Sequence, residues 1–152
     1  MKIFTEDREI SPRDSIQFFK EHYEELGKVH YVLLYYAEKE WAINPNLYHQ
    51  YVIIIGENTQ IRLLGLTWGY YGSGPSGLHD LLQLIDPTIT YEQITGLEWM
   101  AEYIIVFENL NGKLVLTPLN KVIQSYLSRD DPSLPRGMFY QKRSIKELSY
   151  LT

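Results

Sequence analysis

The chain has 152 residues and no cysteine, so it is long enough to bury one sizeable core, and disulfides and thiolate metal sites are excluded. Its 14 Lys+Arg against 19 Asp+Glu leave a formal net charge of −5. That balance argues against a protein that grips duplex nucleic acid by neutralising phosphates, a local basic pocket aside. The longest apolar stretches, such as Tyr31–Ala37 and Val52–Ile55, are far too short to span a bilayer. The charged start MKIFTEDREISPRD lacks the apolar run of a secretory signal, so a cytoplasmic location away from membranes is expected.

Residues 3–10 are too short to classify and leave room for an edge strand. Ser11-Pro12-Arg13-Asp14 reads as a helix start, with Ser11 as N-cap and Pro12 in the first turn. Ile16, Phe19, Tyr23 and Leu26 then recur at steps of three and four, and Gly27 ends the helix. Val29–Tyr36 is β-branched and aromatic and predicts a strand. Glu38–Asn46 reads as a loop. Tyr48–Ile55 and Gln60–Trp68 predict two further strands, and their short Gly56-Glu57-Asn58 connection predicts an antiparallel hairpin. Gly65 inside the third strand predicts a bulge or a close backbone approach.

Gly69, Gly72 and Gly74 then make a tight turn that feeds a helix carrying Leu78, Leu81, Leu82 and Ile85, stopped by Pro87. Thr88–Ile94 is a linker with one helical turn. Leu97–Leu110 is ambiguous. Trp99, Tyr103, Val106 and Leu110 share a helical spacing, and a buried helix ending at Asn111-Gly112 is the preferred reading. The alternative is a hairpin, because an Asn-Gly pair favours tight turns. Thr117-Pro118 opens a short helix with Leu119, Val122, Ile123 and Tyr126. Ser128–Gly137 has a linker's composition, and a last helix is expected over Ser144–Leu151. The expected fold is α+β: an antiparallel sheet of three to five strands with helices packed on one side. It forms a single domain, with a helix and first strand in residues 1–47, a core in 48–127, and a linker and tail in 128–152.

The most specific local pattern is Trp68-Gly69-Tyr70-Tyr71-Gly72-Ser73-Gly74-Pro75. Glycine lets a ligand approach the backbone, and a helix N-terminus presents unpaired N–H groups with a partial positive charge. Flanking rings suit a planar group. A phosphate-bearing, nucleotide-like ligand follows: Trp68, Tyr70 and Tyr71 stacking on the base, Gly72, Ser73 and Gly74 meeting phosphate, and Arg62 balancing charge. Arg62 lies six residues before Trp68 on the same strand parity, which puts both on one sheet face unless Gly65 inserts a bulge. A plain tight turn explains the same glycines. The pattern is neither a Walker loop nor a dinucleotide fingerprint, and Pro75 removes one N–H from the cradle.

The stretch Leu66–Leu78 resembles the pattern F-x-W-G-Y-x-G-[ST]-G-P-x-x-L of a small family of uncharacterised domains common in bacteria, phages and mobile elements. The resemblance spans about residues 48–127 and departs at Tyr71, where the family often has Gly. It implies that the turn is the domain's centre and that the setting is a phage or prophage, where sequestering a host signalling nucleotide would be the role. The family has no assigned reaction, so no catalytic residue is transferred.

No catalytic set emerges. His22, His30, His49 and His79 lack metal-ligand spacing, although His30 and His49 fall in expected strands. Ser73 lacks both the nucleophile-elbow spacing and a nearby base, and the carboxylate pairs Glu24-Glu25 and Asp130-Asp131 read as solvated charge. A non-enzymatic binding protein without cofactor is therefore expected. The abundance of aromatics, 13 Tyr, 3 Trp and 5 Phe, suits either a tyrosine-rich core or a contact surface. The rival functions are a protein-interaction or inhibitor module, including a homo-oligomer subunit with Met138-Phe139-Tyr140 in its contacts, and an enzyme with an unrecognised site.

Overall fold

Continuous apolar runs such as Val32–Tyr35 and Val52–Ile55 have no polar face to give to water, so a sheet built from them must be covered on both sides. In the computed structural model, which describes residues 2–6, 11–36, 50–98, 104–123 and 126 (the side chains of Tyr36, Gln50 and Ile123 excepted), these runs form the middle of a six-stranded sheet. The elements in chain order are β1 (Lys2–Thr5), α1 (Pro12–Leu26), β2 (Tyr31–Tyr36), β3 (Gln50–Ile55) and β4 (Thr59–Leu63). They are followed by α2 (Ser73–Gln83), α3 (Tyr91–Thr95), β5 (Ile105–Leu110), β6 (Lys113–Leu116) and α4 (Asn120–Ile123). The strand order is β1-β4-β3-β2-β5-β6. β1 pairs with β4 in parallel, and every other pairing is antiparallel.

Strand alternation sorts the core into two clusters. On one face Val32, Leu34, Val52, Ile54, Ile61, Leu63, Ile105, Phe107 and Leu114 meet Phe19 and Leu26 of α1, Leu78, Leu81 and Leu82 of α2, and Ile94 of α3. On the other face Leu33, Tyr35, Ile53, Ile55 and Val106 meet Leu119, just before α4, and Val122 of α4. Each fully buried aliphatic side chain contributes about 1.5–3 kcal/mol to this packing. The fold is thus α+β, with three helices on one face. The sheet has six strands where three to five were expected, and the short α4 packs on the opposite face.

The start of α1 follows from its local chemistry. The Ser11 hydroxyl accepts the Asp14 N–H at 3.2 Å, and Pro12 occupies the first turn. β3 and β4 form the expected hairpin, with Ile55 opposite Gln60. The segment 105–116 corrects the preferred helix: it is the hairpin β5–β6. Asn111 and Gly112 both take positive φ, 54° and 89°, the conformation of a two-residue hairpin turn. The Asn109 side chain accepts the Gly112 N–H at 2.7 Å, which closes that turn. β5 also pairs with β2, so its apolar run satisfies its backbone on two sides, which an isolated helical spacing could not reveal. The expected loop at 38–46, the residues Trp99 and Tyr103, the linker at 128–137, the tail 138–140 and the last helix at 144–151 lie outside the described residues.

Candidate functional site

The glycine turn begins where β4 ends. At Leu64 and Gly65 the chain bends, and a side chain just after β1 and one from α1 take the freed amides. The buried Glu6 carboxylate accepts the Leu64 N–H at 2.9 Å, and the buried Ser15 hydroxyl accepts the Gly65 N–H at 3.0 Å. Ser15 in turn donates to Glu6 at 2.5 Å. Glu6 Oε2 is buried and has no hydrogen-bond partner among the described residues.

This bend separates two residues that strand parity had put together. Ile61 and Leu63 face the α1–α2 cluster, so Arg62 between them faces the other side of the sheet. Arg62 is 3% exposed, and its Nε and Nη2 donate to Gln60 Oε1 at 3.4 and 3.2 Å. Trp68, 1% exposed, belongs to the α1–α2 cluster. Arg62 and Trp68 therefore do not share one face: the chain breaks its two-residue alternation at Leu64 and Gly65, the exception that Gly65 had left open. Nor does Trp68 present a ring for stacking. Its indole N–H is buried without a hydrogen-bond partner among the described residues.

The remaining turn residues are distributed between interior and surface. Gly69 takes φ 85°, which an L side chain rarely adopts, and donates its N–H to the Ile94 carbonyl at 3.1 Å. Tyr70 is 42% exposed, with its hydroxyl 2.7 Å from the Thr67 hydroxyl. Tyr71 is 76% exposed and lies edge-on to Tyr91, with centroids 5.8 Å apart. Gly72 is the N-cap of α2 and brings no side chain to the cap. Its N–H donates to the Tyr91 hydroxyl at 3.1 Å, and its carbonyl accepts the Ser76 N–H at 3.0 Å. Gly74 is buried so closely that a Cβ there would come within 1.8 Å of Thr67 Oγ1.

Three of the amides in and around this turn are therefore satisfied internally: Gly69, Gly72 and Ser76. The amides of Ser73 and Gly74, in the first turn of α2, donate to no described residue, as expected for helix-start N–H groups without a capping side chain. Pro75 has no N–H to add. Ser73 lines a groove of about 430 Å³ between α1 and α2, together with Pro12, Arg13, Ile16, Gln17 and Lys20 on one side and Ser76, Gly77 and Asp80 on the other. Two cationic side chains, Arg13 and Lys20, and one carboxylate, Asp80, thus line the groove that Ser73 also lines. A Cβ on Gly77 would approach Pro12 Cβ to 2.8 Å, so this glycine lets α2 lie close against α1 at the groove floor.

Arg13 and Lys20 were missed as candidates. The signal was present: Arg13, Gln17 and Lys20 recur at four- and three-residue steps and so share one stripe of α1. What the stripe could not show is which helix it faces. Of the histidines, His22 stacks on Phe4 with centroids 3.9 Å apart, His30 lies 6.0 Å from Tyr126, and His79 Nε2 donates to the Ile89 carbonyl at 3.0 Å. His49 lies outside the described residues. Among the described residues no three His, Asp or Glu side chains form a metal-sized cluster. No helix among them is long and apolar enough to cross a membrane.

A second groove, about 650 Å³, runs between α3 and β6. Ile89, Ile94, Leu97, Phe107, Leu114 and Leu116 supply its apolar lining, and Thr88, Glu92, Gln93 and Lys113 its polar lining. At one end Asp86 accepts the Thr88 N–H and hydroxyl through Oδ1, at 2.9 and 2.6 Å, and the Leu114 N–H through Oδ2 at 2.9 Å. Burial by itself would raise the Asp86 pKa. The Thr88 hydroxyl, the Leu114 and Thr88 amides and the nearby Lys113 charge outweigh it and hold the carboxyl below its ordinary value. Compared with known proteins, the chain matches no family model, no curated protein and no solved structure.

Proposed function

We propose that this chain is a binding protein that holds a small phosphate-bearing ligand in the groove between α1 and the start of α2. One observation carries the reading: Ser73, in the uncapped first turn of α2 and with an amide that has no partner among the described residues, lines a groove that Arg13 and Lys20 also line. Backbone N–H groups and the helix dipole favour an anion there, and two cations nearby favour it further against a protein of net charge −5. Tyr71, two residues before Ser73 and largely exposed, is the ring available to a planar group, in place of the buried Trp68. A nucleotide-like ligand fits this combination of anionic and flat parts. The cation role belongs to Arg13 and Lys20, since Arg62 lies on the far face of the sheet.

The test is thermal unfolding in the presence of inorganic pyrophosphate and of mono-, di- and cyclic nucleotides at fixed ionic strength. A ligand at about one hundred times its Kd stabilises by about 2.7 kcal/mol, which for a chain of this size raises Tm by about 5–11 °C. Absence of any shift at millimolar concentrations across the set overturns the reading.

A second reading is an interaction module for another protein. The groove between α3 and β6 favours it, because its apolar floor and mixed polar rim resemble the anatomy of a protein contact. Capture of a specific partner, lost on Leu116→Lys, together with no nucleotide response, would select this reading over the first.

A further inference from the structure

We draw no further inference here: the strongest candidate, the groove between α3 and the outer edge of β6, carries none because Asp86 already takes the outward amide of Leu114 and nothing in the structure shows what covers the remaining apolar floor.

Discussion

The Asp86 carboxylate accepts the main-chain N–H of Leu114, 28 positions later in the chain, at 2.9 Å. The register explains why that amide is free to be taken. Thr117 N–H bonds the Val106 carbonyl, so alternate residues Lys113 and Val115 pair toward β5 while Leu114 and Leu116 turn their main-chain groups outward. An open strand edge is a template for unwanted pairing. Asp86 closes half of this one and, through Thr88, also fixes the turn leading into α3.

Removing that carboxylate has a signed pH dependence. The folded-state pKa of Asp86 is lowered, so its contribution is fully present above the unfolded value, about 3.9, and disappears as pH falls through the folded value. Asp86→Ala is expected to cost about 1–3 kcal/mol at neutral pH, because it leaves the buried Leu114 amide unpaired. Asp86→Asn, which keeps an acceptor but loses the charge, is expected to cost less. Urea unfolding from pH 7 down to about pH 3 checks this: the gap between wild type and Asp86→Asn should shrink on acidification. A constant gap would show that the charge contributes nothing.

Gly74 reports on the packing of the turn against the helix start. Gly74→Ala would place a methyl 1.8 Å from Thr67 Oγ1 and 3.0 Å from its Cβ, so either α2 shifts or the Thr67–Tyr70 hydroxyl contact breaks. Overpacking of this kind costs about 1–3 kcal/mol. The double variant Thr67→Ala/Gly74→Ala should be more stable than the sum of the single losses predicts, since the first change removes the colliding atom. Simple additivity in denaturant midpoints would refute this account of the contact.

Ser15 ties α1 to both Glu6, just after β1, and the bend after β4. Its hydroxyl is buried between the Gly65 N–H and the Glu6 carboxylate. Ser15→Ala leaves a buried donor and a carboxylate oxygen each short of a partner and is expected to destabilise by about 1–3 kcal/mol. Hydrogen exchange checks the location: the Leu64 and Gly65 amides should lose protection before the centre of β3 does.

Arg13 and Lys20 carry the functional prediction. Both sit at the groove on α1, so Arg13→Glu/Lys20→Glu should change stability by no more than about 0.5 kcal/mol. The same variant should abolish any Tm rise produced by pyrophosphate or nucleotides. Arg62→Gln is the contrast: it should destabilise the fold, because Arg62 is buried in the sheet, yet leave the relative ligand response intact. If the double variant responds to ligand like wild type, the site lies elsewhere.

Those contrasts mark where sequence reading succeeded and where it stopped. The presence and type of α1, β2, β3 and α2 were legible because each rests on short-range causes: a serine cap and a proline at the first turn, β-branched runs, glycines before a leucine-rich helix. The hairpin at 105–116 was harder. Its apolar spacing fits a helix as well as a strand, and the choice fell to β2, which offers β5 a complete ladder of partners from Tyr31 to Leu34. The candidate site divided in the same way. The location of the α2 start was readable from the glycines, whereas the cations that line the same groove were not, because they belong to a helix some sixty residues earlier.

By itself, then, the order of residues determined the local elements, the turn that opens α2 and the absence of any thiol chemistry, since backbone sterics, capping and periodicity act within a few residues. The tertiary structure alone decided that Trp68 is core, that Arg62 faces away from it, and that Arg13 and Lys20 line one groove with Ser73. The physical reason is that a strand's alternation survives only until the first bend. At Leu64 and Gly65 that bend is held by Glu6 and Ser15, two side chains brought there by the fold and by nothing in the adjoining sequence.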